Sequence, residues 1–197
     1  MTTQVILITS FQDLLQHEKD YAQLRGEYYI WNVTSRYEFN PEVFTKNLQR
    51  RELTLDDLLD MYERMKNHGR LSEARKQKLK HDFDRGQTLF LLFEGDRLVS
   101  CARLTRKNTH VAEIHSVYTK PQYRGKGYAK TVLNRLLLQA KREGYLELWL
   151  DTMPFMKSAI KLYQSLGFSQ TEYLEMGYPS RVHATETGVI FMKMRLA

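Results

Sequence analysis

Apolar residues recur along the chain with two periods. QVILITS (4–10) is a short apolar run that predicts an opening strand. Leu14, Tyr21, Leu24 and Tyr28 then fall on one face at helical spacing. The aromatic-rich stretch 27–39 ends at Asn40-Pro41, which reads as a turn. Thr54 followed by Asp56 and Asp57 marks a helix start, and that helix stops near Asn67, at His68-Gly69. Ser72 caps the next helix. After Gly86 the period shortens. Residues 88–107 are two apolar runs joined by Glu94-Gly95-Asp96, a hairpin signal, and 110–119 is a third strand ending at Lys120-Pro121. Ala129, Val132, Leu133, Leu136, Leu137 and Ala140 form the stripe of a long helix stopped by Gly144. A strand at 146–151, a helix at 156–168 and two strands near 169–175 and 188–195 complete the chain. A helical N-terminal third followed by β-hairpin, β, α, β, α, β, β predicts an α/β protein: a mixed sheet with helices on its faces.

The 197 residues suit one α/β domain, and 42% hydrophobic with 12% aromatic residues argues for a packed core. The N-terminus lacks a basic start and small-residue cleavage site, and no apolar run approaches the ~18 residues of a membrane span, so the expected location is cytoplasmic, with no membrane partner. One cysteine, Cys101, excludes an internal disulfide and a multi-cysteine zinc site, and its apolar neighbours make it a buried small residue. No metal is expected. The net charge is +7, and residues 66–85 hold seven Lys/Arg against three acids. A nucleic-acid patch is one reading of that stretch; a solvated helix face is the commoner one.

One turn changes the picture. Gly125 and Gly127, with Arg124, Lys126 and Lys130, stand between a strand and the long helix. Free N–H groups at a helix start point outward, the dipole favours anions, and glycines let a phosphate approach the backbone. The ligand this predicts carries phosphates, most simply a pyrophosphate. A Walker A loop fails because Tyr128 follows Gly127. A Rossmann fingerprint meets Lys130 at its third glycine, although Asp151 can mimic the ribose-binding acid, so dinucleotide binding stays as an alternative.

Gln122-x-x-Gly125-x-Gly127 resembles the acyl-CoA pyrophosphate motif of the GNAT superfamily of N-acetyltransferases. Residues 112–137 look like that family's fourth strand, phosphate loop and helix. Residues 146–174 look like its fifth strand and the following LYxxxGF signature. The resemblance implies a splayed mixed sheet of six to seven strands in a single domain over 1–197. Residues 1–85 would shape the substrate side, and 86–197 would form the acyl-CoA-binding core. It implies acetyl-CoA as donor, held by the backbone of Val117, Tyr118 and Thr119 along the pantetheine. Gln122, Arg124, Gly125, Lys126, Gly127, Tyr128, Ala129 and Lys130 would hold the pyrophosphate, with Ser158 a further contact. The implied reaction is direct attack by a primary amine of a small molecule or peptide on the thioester. A non-catalytic acyl-CoA-binding regulatory module is the alternative. The closing strands in this family can pair between subunits, which implies a homodimer.

An alkylammonium of pKa ~10.4 is only about 0.04% neutral at pH 7, so an ε-amine needs a base more than an α-amine does. Glu113 is the candidate base. Simple alternation puts Val111, Glu113, His115 and Val117 on one strand face, so His115 can relay a proton. A Glu113 paired structurally with a neighbouring cation is the competing reading. Tyr163 is the candidate acid for the leaving thiolate, by resemblance, against the reading of a core tyrosine. Tyr28, Tyr29, Trp31 and Tyr37 either wall the amine pocket or pack in the core. Arg181 and His183 are expected near the acceptor, where an arginine suits a carboxylate.

Overall fold

The computed structural model describes residues 2–176 and 187–196. The elements run β1 (Thr3–Ile8), α1 (Phe11–Leu15), α2 (Glu18–Phe39), α3 (Pro41–Gln49), α4 (Leu55–His68), α5 (Glu73–Asp84), β2 (Thr88–Glu94), β3 (Arg97–Arg106), β4 (Val111–Thr119), a 3-10 turn (Pro121–Tyr123), α6 (Tyr128–Arg142), β5 (Glu147–Thr152), α7 (Lys157–Ser165), β6 (Ser169–Thr171) and β7 (Ile190–Arg195). The strands form one sheet in the order β1-β2-β3-β4-β5-β7-β6. Each neighbouring pair is antiparallel except β4 and β5, which are parallel. The mixed α/β architecture expected from the periodicities is therefore present, with seven strands.

Each sheet face has its own core. Toward α6 and α7, Ile114, Leu148 and Leu150 pack with Val132, Leu133, Leu136 and Tyr163. On the other face, Leu89, Leu91, Cys101 and Tyr118 pack with Leu14, Tyr21, Leu24 and Leu79. Cys101 is fully buried, and burial pushes its thiol up. Helix α2 crosses α4 closely at Gly26. A Cβ there would lie 2.6 Å from the Lys66 Cβ and 2.7 Å from its backbone nitrogen.

The N-terminal third differs from expectation in its helix boundaries: Leu14 lies in α1, apart from Tyr21, Leu24 and Tyr28 in α2, and α2 continues through the aromatic stretch to Phe39. Asn40-Pro41 is a turn and also a helix start: the Asn40 side chain accepts from the Val43 N–H at 3.2 Å, and Pro41 occupies the first helical turn. Helix α3 therefore occupies a stretch that the apolar pattern left unassigned. Thr54 and Asp57 form a capping box on α4, and Gly69 ends it in the left-handed region at φ 61°. Strand β6 is three residues long, shorter than the 169–175 expected. None of the described helices is long and apolar enough to cross a membrane.

A second departure positions the site. Simple alternation along β4 does not hold to its end. Cys101 pairs with Tyr118 but Arg103 pairs with His115, so Ser116 and Val117 together face Ala102. This is a β-bulge, with Ser116 at φ 57°. The extra residue reverses the faces beyond it. Val117 packs with Ala112 and Ile114 rather than lying beside Glu113, and Tyr118 joins the opposite core. The bulge also bends the strand. Pairing between β4 and β5 spans Val111–Ile114 against Glu147–Leu150 and does not continue to His115–Thr119.

Candidate active site

The gap between the diverging strands opens into a cleft of about 950 Å³. One wall is the second half of β4, whose backbone groups facing β5 have no ladder partner in that direction. Val117, Tyr118 and Thr119 line it, as expected of a wall that pairs with an extended ligand arm. The floor is the turn into α6. Gly125 and Gly127 have φ of 79° and 81°, and a Cβ on either would meet no heavy atom within 4 Å. The Thr131 N–H donates to the Gly127 carbonyl at 3.0 Å, so the N–H groups of Tyr128, Ala129 and Lys130 precede the first intrahelical bond. That open cradle fits a phosphate-bearing donor such as acetyl-CoA.

The side chains around the cradle divide. Arg124, Tyr128, Ala129, Lys130 and Ser158 line the cleft. Arg124 donates from Nε to the Thr119 carbonyl at 3.2 Å and lies over the Trp31 ring at 5.3 Å. Gln122 and Lys126 do not line it. Gln122 sits exposed in the 3-10 turn, and Lys126 reaches Glu94 at 3.2 Å, which the Tyr128 hydroxyl also contacts.

Of the two candidate catalytic groups, Tyr163 lines the cleft from α7, packed edge-on to Phe168. Burial raises its phenol above the ordinary range, with Tyr28 and Asp151 adding in the same direction, so it stays protonated through neutral pH. Glu113 does not reach the cleft. Its Oε2 lies 3.1 Å from His115 Nε2, and its Oε1 lies 3.8 Å from the Lys107 ammonium. His115 is the member of that pair that lines the cleft. Among the described residues, no group of three or more His, Cys, Asp or Glu could hold a metal ion.

The far end of the cleft is built by α2, α5 and β3. Tyr28, Tyr29 and Trp31 line it, whereas Tyr37 is exposed and packs on Phe44. Helix α5 is not wholly a solvated basic face: Arg75 turns inward and donates to the Tyr29 hydroxyl. Arg25 and Arg103, which no motif singled out, also line this end. Arg181 and His183 lie outside the described residues.

The chain is similar to proteins already known. The sequence profile described as "Acetyltransferase (GNAT) family" matches residues 54–168. The uncharacterized N-acetyltransferase YsnE of Bacillus subtilis is 33% identical over 111 residues, covering 55% of this chain and 70% of that protein. A [ribosomal protein bS18]-alanine N-acetyltransferase of Haemophilus ducreyi is 33% identical over 79 residues, covering 40% and 54%. Across the first three relatives, the matched stretch spans 70%, 43% and 29% of the relative's own length. The PaiA N-acetyltransferase of Thermoplasma acidophilum, solved in complex with coenzyme A, superposes with a TM-score of 0.59 at 18% identity, over 100% of both chains.

Proposed function

The chain belongs to the acetyltransferase (GNAT) family and is an N-acetyltransferase, and from that premise we propose that the β4–β5 cleft transfers the acetyl group of acetyl-CoA directly to a primary amine of a small molecule or peptide. The observation that carries this reading is the coincidence in one cleft of the open glycine cradle, the unpaired edge of β4 and the protonated Tyr163. The enzyme reading is favoured over the non-catalytic module.

In this reading the backbone of Val117–Thr119 aligns the pantetheine amides, and the α6 N-terminus holds the pyrophosphate with Arg124 and Lys130 nearby. His115, which lines the cleft, takes a proton from the substrate ammonium, and the neutral amine so formed attacks the thioester carbonyl. Glu113, hydrogen-bonded behind it, orients the imidazole. As the carbon–sulfur bond breaks, the Tyr163 hydroxyl donates to the departing thiolate.

The reading is tested by a thermal-shift titration with acetyl-CoA, CoA, NAD and ATP, followed by thiol release on an amine panel. Stabilisation by acetyl-CoA and CoA, with amine-dependent thiol release, is expected. Stabilisation by NAD alone would return the turn to dinucleotide binding.

A further inference from the structure

Arg25 is 2% exposed, yet no carboxylate pairs with it among the described residues. Its Nε and Nη1 have no hydrogen-bond partner, and its guanidinium lies 4.5 Å from the Tyr28 ring centre and 4.4 Å from that of Tyr29. A buried guanidinium with two unpartnered nitrogens is costly unless something supplies the missing acceptors. The same pocket wall holds Arg75, on the Tyr29 hydroxyl, and Arg103. Arg103 has Gln87 at 3.0 Å and Asp82 at 3.9 Å. Three cations thus converge from α2, α5 and β3, while Glu27 is spent on Lys120 at 3.1 Å. The cluster is distinct from the glycine cradle, which lies at the start of α6: Tyr28 contacts the Arg25 guanidinium at 4.5 Å and the Tyr118 ring at 5.4 Å.

We propose that this end of the cleft is an anion pocket, so that the acceptor is an amine carrying a carboxylate or phosphate, which docks on Arg25, Arg75 and Arg103 while its amino group points past Tyr28 toward Tyr163. The proposal rests on the N-acetyltransferase reading of the cleft. Planar carboxylates and phosphates both match the forked donors of arginine. Tyr29 reports on the pocket. Burial raises its phenol, but Arg25, Arg75 and Arg103 outweigh that and bring it down to about 8. A docked anion takes over the role of counter-charge and drives Tyr29 back to the neutral phenol.

Two readouts on the full chain test this. The first compares turnover of ω-amino acids of two to six carbons, their carboxamides, and ω-aminoalkyl phosphates. The anionic members are expected to have kcat/KM at least about tenfold above the carboxamides, and Arg75→Gln to raise their KM about tenfold with kcat little changed. The ratio of carboxylate to phosphate turnover identifies the source of the anion. Equal or better use of the carboxamides overturns the proposal. The second readout needs no catalysis: ultraviolet absorbance of tyrosinate at pH 8, titrated with the corresponding deaminated acids and with inorganic phosphate. Loss of absorbance that is absent in Tyr29→Phe supports the pocket; no loss overturns it, as does an equal loss with CoA alone, which would make the anion the donor's own. Thermal stabilisation by CoA, measured in parallel, separates failure of this pocket from failure of the transferase reading.

Discussion

His115 stands between the Glu113 carboxylate, 3.1 Å from its Nε2, and the cleft that Glu113 does not reach. In the proposed mechanism this orders the two residues in a relay, with the imidazole toward the amine and the carboxylate acting through it. His115→Gln is expected to lower kcat/KM by about two orders of magnitude on an alkylamine, within the range for removal of a general base. Glu113→Gln should cost about tenfold. CoA binding should survive in both, as measured by thermal shift. A Glu113→Gln defect larger than that of His115→Gln would reverse the order of the relay.

Tyr163→Phe removes one hydroxyl from a packed ring, so folding should be nearly unaffected. We expect kcat to fall about a hundredfold with KM for acetyl-CoA little changed, the pattern of an interaction made in the transition state. Because burial holds this phenol protonated, Tyr163 should contribute no loss of activity between pH 7 and its ordinary pKa of about 10. Unchanged kcat in the phenylalanine variant would return Tyr163 to a packing role.

At Gly125 and Gly127 the space in front of the backbone is empty and φ is positive. Alanine at either position meets no atom but strains a left-handed residue, at about 1–2 kcal/mol. Gly125→Asp/Gly127→Asp adds carboxylates at the proposed phosphate cradle. Calorimetry should show CoA binding abolished in the double variant and weakened in each alanine variant.

The α2–α4 crossing leaves no room at Gly26. Gly26→Ala places a methyl within 3 Å of the Lys66 backbone, and backbone cannot step aside as a flexible side-chain end can. The overpacking cost should be about 1–3 kcal/mol, read as a lower denaturant midpoint at constant m-value. A neutral substitution would show that the helices slide apart freely.

The cations around Tyr29 also make stability depend on pH. The folded phenol titrates at about 8, below its unfolded value of about 10. A depressed folded pKa stabilises the fold above the unfolded pKa, and that gain is lost as pH falls through 8. Relative to Tyr29→Phe, the protein should therefore gain stability from pH 8 to pH 10, by up to about 2–3 kcal/mol. Melting curves of both proteins across that window check the sign.

Much of the donor half was legible because its chemistry is local. The stripe from Ala129 to Ala140 and the glycines before it share one short stretch, and local spacing encodes them. The bulge at Ser116 was not legible, since an extra strand residue leaves no mark in composition, and alternation therefore misplaced Val117. Helix α3 escaped notice because Asn40-Pro41 serves equally as a turn and as a helix start. The cation cluster was invisible for another reason: Arg25, Arg75 and Arg103 are brought together only by α2 and α5 packing on the sheet, and in sequence each looks like an ordinary charged residue.

The divergence of β4 from β5 is a property of backbone register, created by one additional residue opposite Ala102. Two side chains brace it, Cys101 on the Ser116 carbonyl at 3.4 Å and Arg103 on the Ser116 hydroxyl at 3.2 Å. Removing a residue at Ser116 would let the strands zip together and erase the cleft, while leaving both hydrophobic cores nearly the same in composition. Conversely, the walls that α2 and α5 contribute to the acceptor end can be rewritten without touching the hinge that holds it open. Such a frame separates inheritance from innovation: the donor half can stay fixed while the clientele changes.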